Sequence, residues 1–473
     1  MADTRTTLAA SGVGFGTSGA RGLVEDMTDG VCFAYTLAFL HAVGARPGSP
    51  VALGMDLRPS SPRIAAACAA AIRHAGLIPD FCGAIPTPAL AFHAQETGMP
   101  AIMVTGSHIP FDRNGIKFYR AEGEITKADE AAINGAVLPM PEDMGITGLP
   151  AANPAAAARY RQRYLDFFPG QPLAGLRLGF YQHSSLARDL LTDIAQSLGA
   201  EVTPLGRTDD FVPIDTEAVS EADAAQAREW ARTQGFDALM STDGDADRPL
   251  LGDEKGDWLR GDIVGILCAQ ALGARAVVTP VSSNTALERC GAFARTLRTR
   301  IGSPYVIEGM ETLAQLGNVV GFEANGGFLV GSPVEQDGRR LAPLPTRDAV
   351  LPILALLVEA RRRGVPLSRL AEALPPRYTA SDRIKNFATE KSRQLLQDLA
   401  ADPAAIQALL GDLGGESAGL DQTDGLRITF GNGEIVHLRP SGNAPELRCY
   451  AEADSPKRAA FLADQCLKRV QGA

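Results

Sequence analysis

Three related α/β domains followed by a smaller C-terminal α+β domain are expected from this chain, on three grounds. At 473 residues it exceeds what one ordinary core accommodates, and a norm of about 100 to 200 residues per domain gives three or four. One unit recurs, an apolar run, a Ser-bearing loop, a helix-period segment and then Gly: VALGMDLRPSSPRIAAACAAAIRHAG from 51, LRLGFYQHSSLARDLLTDIAQSLGAEV from 176 and ARAVVTPVSSNTALERCG from 274. Strand, loop and helix in that order build α/β domains whose strand ends face a ligand. The pattern changes around LPPRYTASDRI, 374 to 384, beyond which no such unit recurs.

These signals divide the chain into 1–150, 151–255, 256–373 and 374–473. Between the first two domains MPEDMGITGLPAANPAAAARY, rich in Pro, Gly and Ala, reads as a linker entering a helix near residue 155. In the last domain DGLRITFGNGEIVHLRPSG alternates as a hairpin around Gly431-Asn432-Gly433, and KRAAFLADQCLKRV reads as a closing helix.

Composition limits the function. With 45% hydrophobic and 21% charged residues the chain is a globular protein rather than a disordered or fibrous one. A formal charge of -10 argues against general affinity for nucleic acid or anionic membranes. The one basic run, Arg361 to Arg363, precedes Gly364 and is expected to end a helix. Seven cysteines without a CxxC pair read as reduced thiols. No signal-like N-terminus is present, and the longest apolar run, AVLPILALLV at 349 to 358, is far short of the roughly 20 residues a membrane span needs. A cytoplasmic protein is expected.

Four loops carry chemistry. In MVTGSHIPFDRNGIKFY, 103 to 119, a Gly-, Pro- and Asn-rich turn exposes Ser107 and His108, and Lys117 returns on the next apolar run. Serine is a poor nucleophile without a base, but once phosphorylated it can donate a phosphoryl group. In STDGDADRPLL, 241 to 251, Asp243, Asp245 and Asp247 repel one another unless a cation offsets them, and one hard cation such as Mg²⁺ suits three carboxylates plus a phosphate oxygen. Glu254 falls at the twelfth position of a calcium loop counted from Asp243, but the sixth position, where a sharp turn needs Gly, is Arg248. Arg248 is instead suited to a forked phosphate contact. In GFEANGGFLVG, 321 to 331, Glu323 stands among glycines and could accept from sugar hydroxyls; the alternative is a hairpin with an incidental Glu. In HLRPSGNAPELRCY, 437 to 450, Arg439, Ser441, Gly442 and Asn443 have the composition of a phosphate nest.

FGTSGARG (15–22), TGSHIPFDRNGIK (105–117), DGDADR (243–248), FEANGG (322–327) and RPSGNAPELR (439–448) resemble, in order and spacing over nearly the whole chain, the signature loops of the α-D-phosphohexomutases. The resemblance implies a four-domain, heart-shaped molecule whose loops face a central cleft. It implies that Ser107 is a phosphoserine and that Asp243, Asp245 and Asp247 hold Mg²⁺ together with an oxygen on Ser107. Arg248 would contact the phosphoserine, and Arg21 and Lys117 would assist proton transfer or phosphate binding, with His108 beside them. Glu323 and Asn325 would face the sugar. Arg439, Ser441, Gly442, Asn443 and Arg448 would grip the phosphate not in transfer. The implied reaction moves a phosphoryl group between C6 and C1 of a hexose phosphate through a hexose 1,6-bisphosphate, with mannose phosphate preferred and glucose phosphate accepted; the alternatives are a phosphoglucomutase and a phosphoglucosamine mutase. Its partners are small hexose phosphates, with the enzyme a monomer or small homo-oligomer.

The sugar loop departs from the family's usual Gly-Glu-Met-Ser-Gly-His: the Ser is Asn325 and the His is Gly327 here. A proton-transfer role of that His must fall to another group or be absent. Two rivals from other classes are a metal-dependent sugar phosphatase, which would release inorganic phosphate, and a silent sugar-phosphate binder, which would show no turnover.

Overall fold

The computed structural model describes residues 3–16, 19–441 and 445–472. In the first domain the apolar run from 51 forms the strand Pro50–Met55, lying parallel between Ile78–Ala84 and Ala101–Val104. Arg113–Arg120 then pairs antiparallel with Ala101–Val104, and Ala20–Leu23 with Arg113–Arg120, within a sheet of seven strands. The Ala-rich helix Ser61–His74 buries Ala65, Ala67, Ala69, Ala70 and Ala71, small side chains that let it lie close to the helix Asp29–Ala42 and the sheet. The linker ends where Pro154 opens the helix Ala155–Phe167. Its Arg163 guanidinium sits 4.7 Å over the Phe92 ring of helix Thr87–Thr97.

The second domain orders its four strands Pro249–Gly252, Ala238–Thr242, Arg177–Tyr181, Glu201–Leu205, the first pair antiparallel and the rest parallel. Ala238–Thr242 is buried at every position and ends directly in the acidic loop. In the third domain Ala276–Pro280 is flanked in parallel by Arg295–Thr299 and Val319–Phe322; Phe328–Val330 and Leu344–Asp348 extend the sheet antiparallel. The third repeat differs from expectation: its helix is the single turn Ala286–Arg289. Arg298 donates to the carbonyls of Pro280, Ser283 and Asn284 in the loop that leads into it.

The last domain is a wholly antiparallel sheet of five strands in the order Tyr378–Lys385, Glu446–Ala453, Ile435–Pro440, Leu426–Phe430, Ser417–Asp421. The hairpin forms as expected: Leu426–Phe430 pairs with Ile435–Pro440 across a turn in which Gly433 takes φ 81°. The closing helix is Pro456–Gly472.

One apolar core runs from Ala52 to Leu374 through the first three domains, whereas the fourth has its own, from Ile384 to Val470. The strand Leu344–Asp348 binds the three together. It is bulged between Phe328 and Val330, and its alternating side chains reach in different directions. Thr346 donates to Glu124 of the first domain, Arg347 to Asp247 of the second, and Asp348 accepts from Tyr160 and Tyr164 of the linker helix. Arg361 to Arg363 end the helix Val350–Arg363 ahead of a left-handed Gly364, and Arg362 and Arg363 pair with Glu359. The seven cysteines are all unpaired, and no helix among the described residues is long and apolar enough to cross a membrane.

Candidate active site

Ser107 is fully buried and held at φ 53°, a left-handed conformation that costs a non-glycine residue roughly 1–3 kcal/mol. What holds it is Arg58, buried at the end of the first repeat's strand. Its guanidinium donates to the carbonyls of Ser107 (2.9 Å), Ile109 (2.6 Å), Pro110 (2.7 Å) and Arg113 (3.0 Å) and to Asp56 Oδ2 (3.1 Å). Gly106 permits this, since a Cβ there would lie 2.5 Å from the Arg58 Cζ. The other face of the guanidinium stacks 3.9 Å from the Phe211 ring of the second domain. So held, Ser107 Oγ donates to Asp243 Oδ2 at 2.6 Å and lies 3.3 Å from His108 Nδ1.

Asp243, Asp245 and Asp247 are buried and offer ligand oxygens within 4.8 Å of one another. Lys117 Nζ donates to Asp245 Oδ2 (2.6 Å) and Asp247 Oδ2 (2.7 Å). Thr87 adds a bond to Asp245 Oδ2, and Arg347 two to Asp247 Oδ2. On Asp245 and Asp247 these bonds all fall on Oδ2, and Asp245 Oδ1 and Asp247 Oδ1 are left buried without a hydrogen bond. Two orphaned carboxylate oxygens beside Asp243 are a hard-donor set that fits a divalent cation such as Mg²⁺. Glu254 is turned away and accepts from Ser368, so the twelve-residue calcium loop does not form.

Burial, with repulsion from Asp245 and Asp247, pushes the Asp243 carboxyl well up. Burial also acts on Asp247, but Arg347, Lys117 and Arg248 outweigh it and hold that carboxyl low. Arg248 Nε lies 3.6 Å from Asp247 Oδ1 and 4.0 Å from Asp243 Oδ2. Arg21, on the strand Ala20–Leu23, is lowered to about 10 by burial and by repulsion from Arg248 and Arg347. His108 is held well below its ordinary value by Arg248, burial and Arg21, and is neutral. Lys117, Arg21, Arg248 and Arg347 thus meet the carboxylates of Asp243, Asp245, Asp247 and Glu323. The formal sum is zero, and a phosphate dianion with a divalent cation leaves it so.

Glu323 and Asn325 are buried at the tip of the hairpin joining Val319–Phe322 to Phe328–Val330, so a hairpin and a buried Glu coexist. Glu323 Oε2 accepts from Arg347 Nη1 at 2.9 Å. Asn325 braces the loop: Oδ1 accepts from the Gly327 N–H and its carbonyl from Thr216. Only its amide nitrogen is left to serve a sugar hydroxyl.

In the fourth domain Arg439 and Arg448 are direct cross-strand partners, and Arg448 also faces Arg383. Like charges opposite one another on a sheet are unfavourable, so this row suits an anion. Arg439 donates to Asp424, Arg448 stands 3.7 Å from Glu446, and the Ser441 N–H donates to the Glu446 carbonyl. Gly442 and Asn443 lie outside the described residues.

Comparison with known proteins matches four family models in order: phosphoglucomutase/phosphomannomutase α/β/α domain I at 12–139, domain II at 162–256, domain III at 260–378 and the C-terminal domain at 386–469. The chain belongs to the phosphoglucomutase/phosphomannomutase family. It is 47% identical to a phosphomannomutase of Salmonella muenchen, over 99% of this chain and 98% of that one. A phosphoglucosamine mutase of Symbiobacterium thermophilum is 30% identical over 90% of this chain and 96% of its own. Among solved structures, a family protein of Burkholderia thailandensis superposes with a TM-score of 0.75 at 20% identity, covering 96% of this chain and 97% of its own.

Beyond the motifs by which the family is recognised, three residues at this site escaped sequence reasoning: Arg58, Thr87 and Arg347. A signal existed for two of them. Asp56 and Arg58 follow at once on an apolar strand, and Arg347 and Asp348 close another, and charges just past a buried strand sit where α/β folds place ligands.

Proposed function

We propose that the chain is a phosphohexomutase acting preferentially on mannose phosphates, with Ser107 as its phosphoryl carrier. The reading rests on one observation above all: a buried, strained serine pinned by Arg58 with its Oγ 2.6 Å from the acidic loop. Identity of 46–47% to two phosphomannomutases over nearly the whole chain supports the sugar preference. Glucose and mannose phosphates present the same 3- and 4-hydroxyls to Glu323, so glucose phosphates should be accepted too.

Phospho-Ser107 gives its phosphoryl group to a hydroxyl of the bound hexose monophosphate. The P–Oγ bond breaks, a P–O bond to the sugar forms, the hydroxyl loses its proton, and Oγ regains one, held toward Asp243 Oδ2. The resulting hexose 1,6-bisphosphate turns around, and its other phosphate returns to Ser107. Asp243, Asp245 and Asp247 would hold Mg²⁺, which would supply charge neutralisation at the transferring group. Arg248 and Arg21 bind the phosphoryl oxygens. Arg439, Ser441, Gly442, Asn443 and Arg448 hold the distal phosphate, and Glu323 orients the sugar.

Ser107→Ala should abolish turnover with the fold intact, and the intact mass of active wild-type protein should show one phosphate. Near-normal mutase activity in Ser107→Ala would sink the assignment. Mannose, glucose, glucosamine and N-acetylglucosamine 1-phosphates, compared by kcat/KM with Mg²⁺ and catalytic bisphosphate, decide the sugar. A tenfold lead for glucosamine phosphate would overturn mannose, and steady release of inorganic phosphate would favour a phosphatase.

A further inference from the structure

We propose that Arg347 is a positioning residue of this site: seated in the room that Gly327 leaves, its guanidinium aims Glu323 at the sugar hydroxyls and turns Asp247 toward the metal position. The proposal rests on the mutase reading and names a further residue for it.

Arg347 is 3% exposed, and burying a guanidinium costs several kcal/mol before its partners repay it. A well-packed apolar residue would serve stability as well, so the choice of a charge at this place calls for a role besides folding. All three of its side-chain nitrogens are engaged on two loops: Nη1 with Glu323 Oε2 at 2.9 Å, and Nε and Nη2 with Asp247 Oδ2 at 3.1 and 2.9 Å. On Asp247 the hydrogen bonds of Lys117 and Arg347 thus fall on Oδ2, and Oδ1 is left without one, with only Arg248 Nε 3.6 Å away. On Glu323, a flexible carboxylate at a hairpin tip is fixed by one oxygen, and Oε1 remains to accept from the sugar. The backbone is arranged for it. The bulge opposite Phe328–Val330 re-aims the strand, and a Cβ on Gly327 would lie 2.5 Å from Arg347 Cδ and 2.8 Å from Cγ, atoms that cannot yield with the guanidinium held at both ends.

The test compares wild type, Arg347→Gln, Arg347→Lys, Glu323→Gln and the Arg347→Gln/Glu323→Gln pair. Arg347→Gln should lower kcat/KM on mannose 1-phosphate by on the order of 100-fold, the cost of a misaimed contact. Because Arg347 acts in part through Glu323, the double variant should lose clearly less than the product of the two single losses. Independent, multiplicative losses would overturn the proposal. Mg²⁺ titration calorimetry gives a reading that needs no turnover. Arg347→Gln frees Asp247 from the contact that turns it, so Mg²⁺ binding should weaken severalfold and Arg347→Lys should restore it, whereas unchanged or tighter binding in a folded Arg347→Gln refutes the role. Arg347→Lys keeps the charge but reaches one carboxylate. It should bind Mg²⁺ within about twofold of wild type while retaining a raised KM. If Arg347→Gln does not fold, Arg347→Lys decides: a wild-type KM refutes the proposal. An inactive wild type would sink the mutase reading, and the calorimetry would still judge Arg347.

Discussion

Arg58→Met removes every donor from the residue that fixes the Ser107 loop while keeping most of its apolar stem. Four loop carbonyls lose their guanidinium contacts, and the Asp56 carboxylate, 1% exposed, loses its charged partner. Breaking one side of a buried ion pair costs about 3–5 kcal/mol. Asp56 keeps Ser61 Oγ and two backbone N–H groups, which puts the expected loss toward the lower figure. At roughly 1–1.5 °C per kcal/mol for a body the size of the three domains that share a core, its melting transition should fall by about 3–5 °C. Activity should fall further than stability explains. Ser107 holds its left-handed φ only while its surroundings impose it, and relaxation to an ordinary conformation carries Oγ away from Asp243. A loss in kcat of on the order of 100-fold is expected at temperatures where the variant stays folded. Differential scanning fluorimetry and steady-state kinetics at 15 °C measure the two effects. A melting shift under about 2 °C together with a kcat within about twofold of wild type would refute the idea that Arg58 imposes the serine's geometry.

Asp245→Asn removes one formal charge and should weaken Mg²⁺ binding about tenfold or more; an unchanged Mg²⁺ titration and activity would leave the acidic loop a structural turn. Arg448→Gln should raise KM roughly 10- to 100-fold, the worth of a hydrogen bond to a charged group, with less effect on kcat. Because it also relieves the repulsion along Arg439, Arg448 and Arg383, its melting temperature at low salt should not fall, and an unaltered KM would remove Arg448 from the phosphate grip. Burial, with Arg427 and Arg439 nearby, pushes His437 down to about 4 despite its bond to the Asp424 carbonyl. A neutral buried imidazole of lowered pKa stabilises fully above its ordinary pKa of about 6.5, and that contribution, about 3 kcal/mol, is lost as pH falls toward 4. His437→Gln should flatten the fourth domain's stability between pH 6.5 and 4, seen as a smaller acid shift of its urea midpoint, and an unchanged slope would count against it.

Much of the architecture was legible because it is local. Apolar run, Ser loop and helix identified the strands at 51 and 176, alternation around Gly431-Asn432-Gly433 identified the hairpin, and Pro154 marked the start of the linker helix. The third repeat keeps one helical turn before Gly291 at φ 63°, and the loop ahead of it is tied by Arg298, a residue on a neighbouring strand that no short window contains. The site divides the same way. Its carboxylates, serine and Lys117 come in dense loops, and the repulsion among three aspartates announces a cation. That repulsion did not say which cations the chain itself supplies. Arg58 reaches a carbonyl 49 residues away and Arg347 a carboxylate 100 residues away. Hydrophobic periodicity reports which face of an element is buried, never which distant loop it meets, and a lone Arg reads as surface until its partners are known.

The shared core of the first three domains and the separate core of the fourth divide the cleft into an anvil and a jaw. The loops of Ser107, Asp243 and Glu323 stand on one body with a shared core, whereas Arg439 and Arg448 ride on a body with a core of its own, tied to the first through polar contacts. Those contacts include Glu452 with Thr285, and Asp424 with the N–H of Ile301. Tilting the jaw opens few apolar surfaces, so it is the cheaper motion. A bisphosphate that must turn end over end without escaping needs one grip to slacken while the other persists. On the proposed reaction, unequal stiffness would supply that order: the arginine row would let go and take hold again while the loop of Ser107 keeps its geometry.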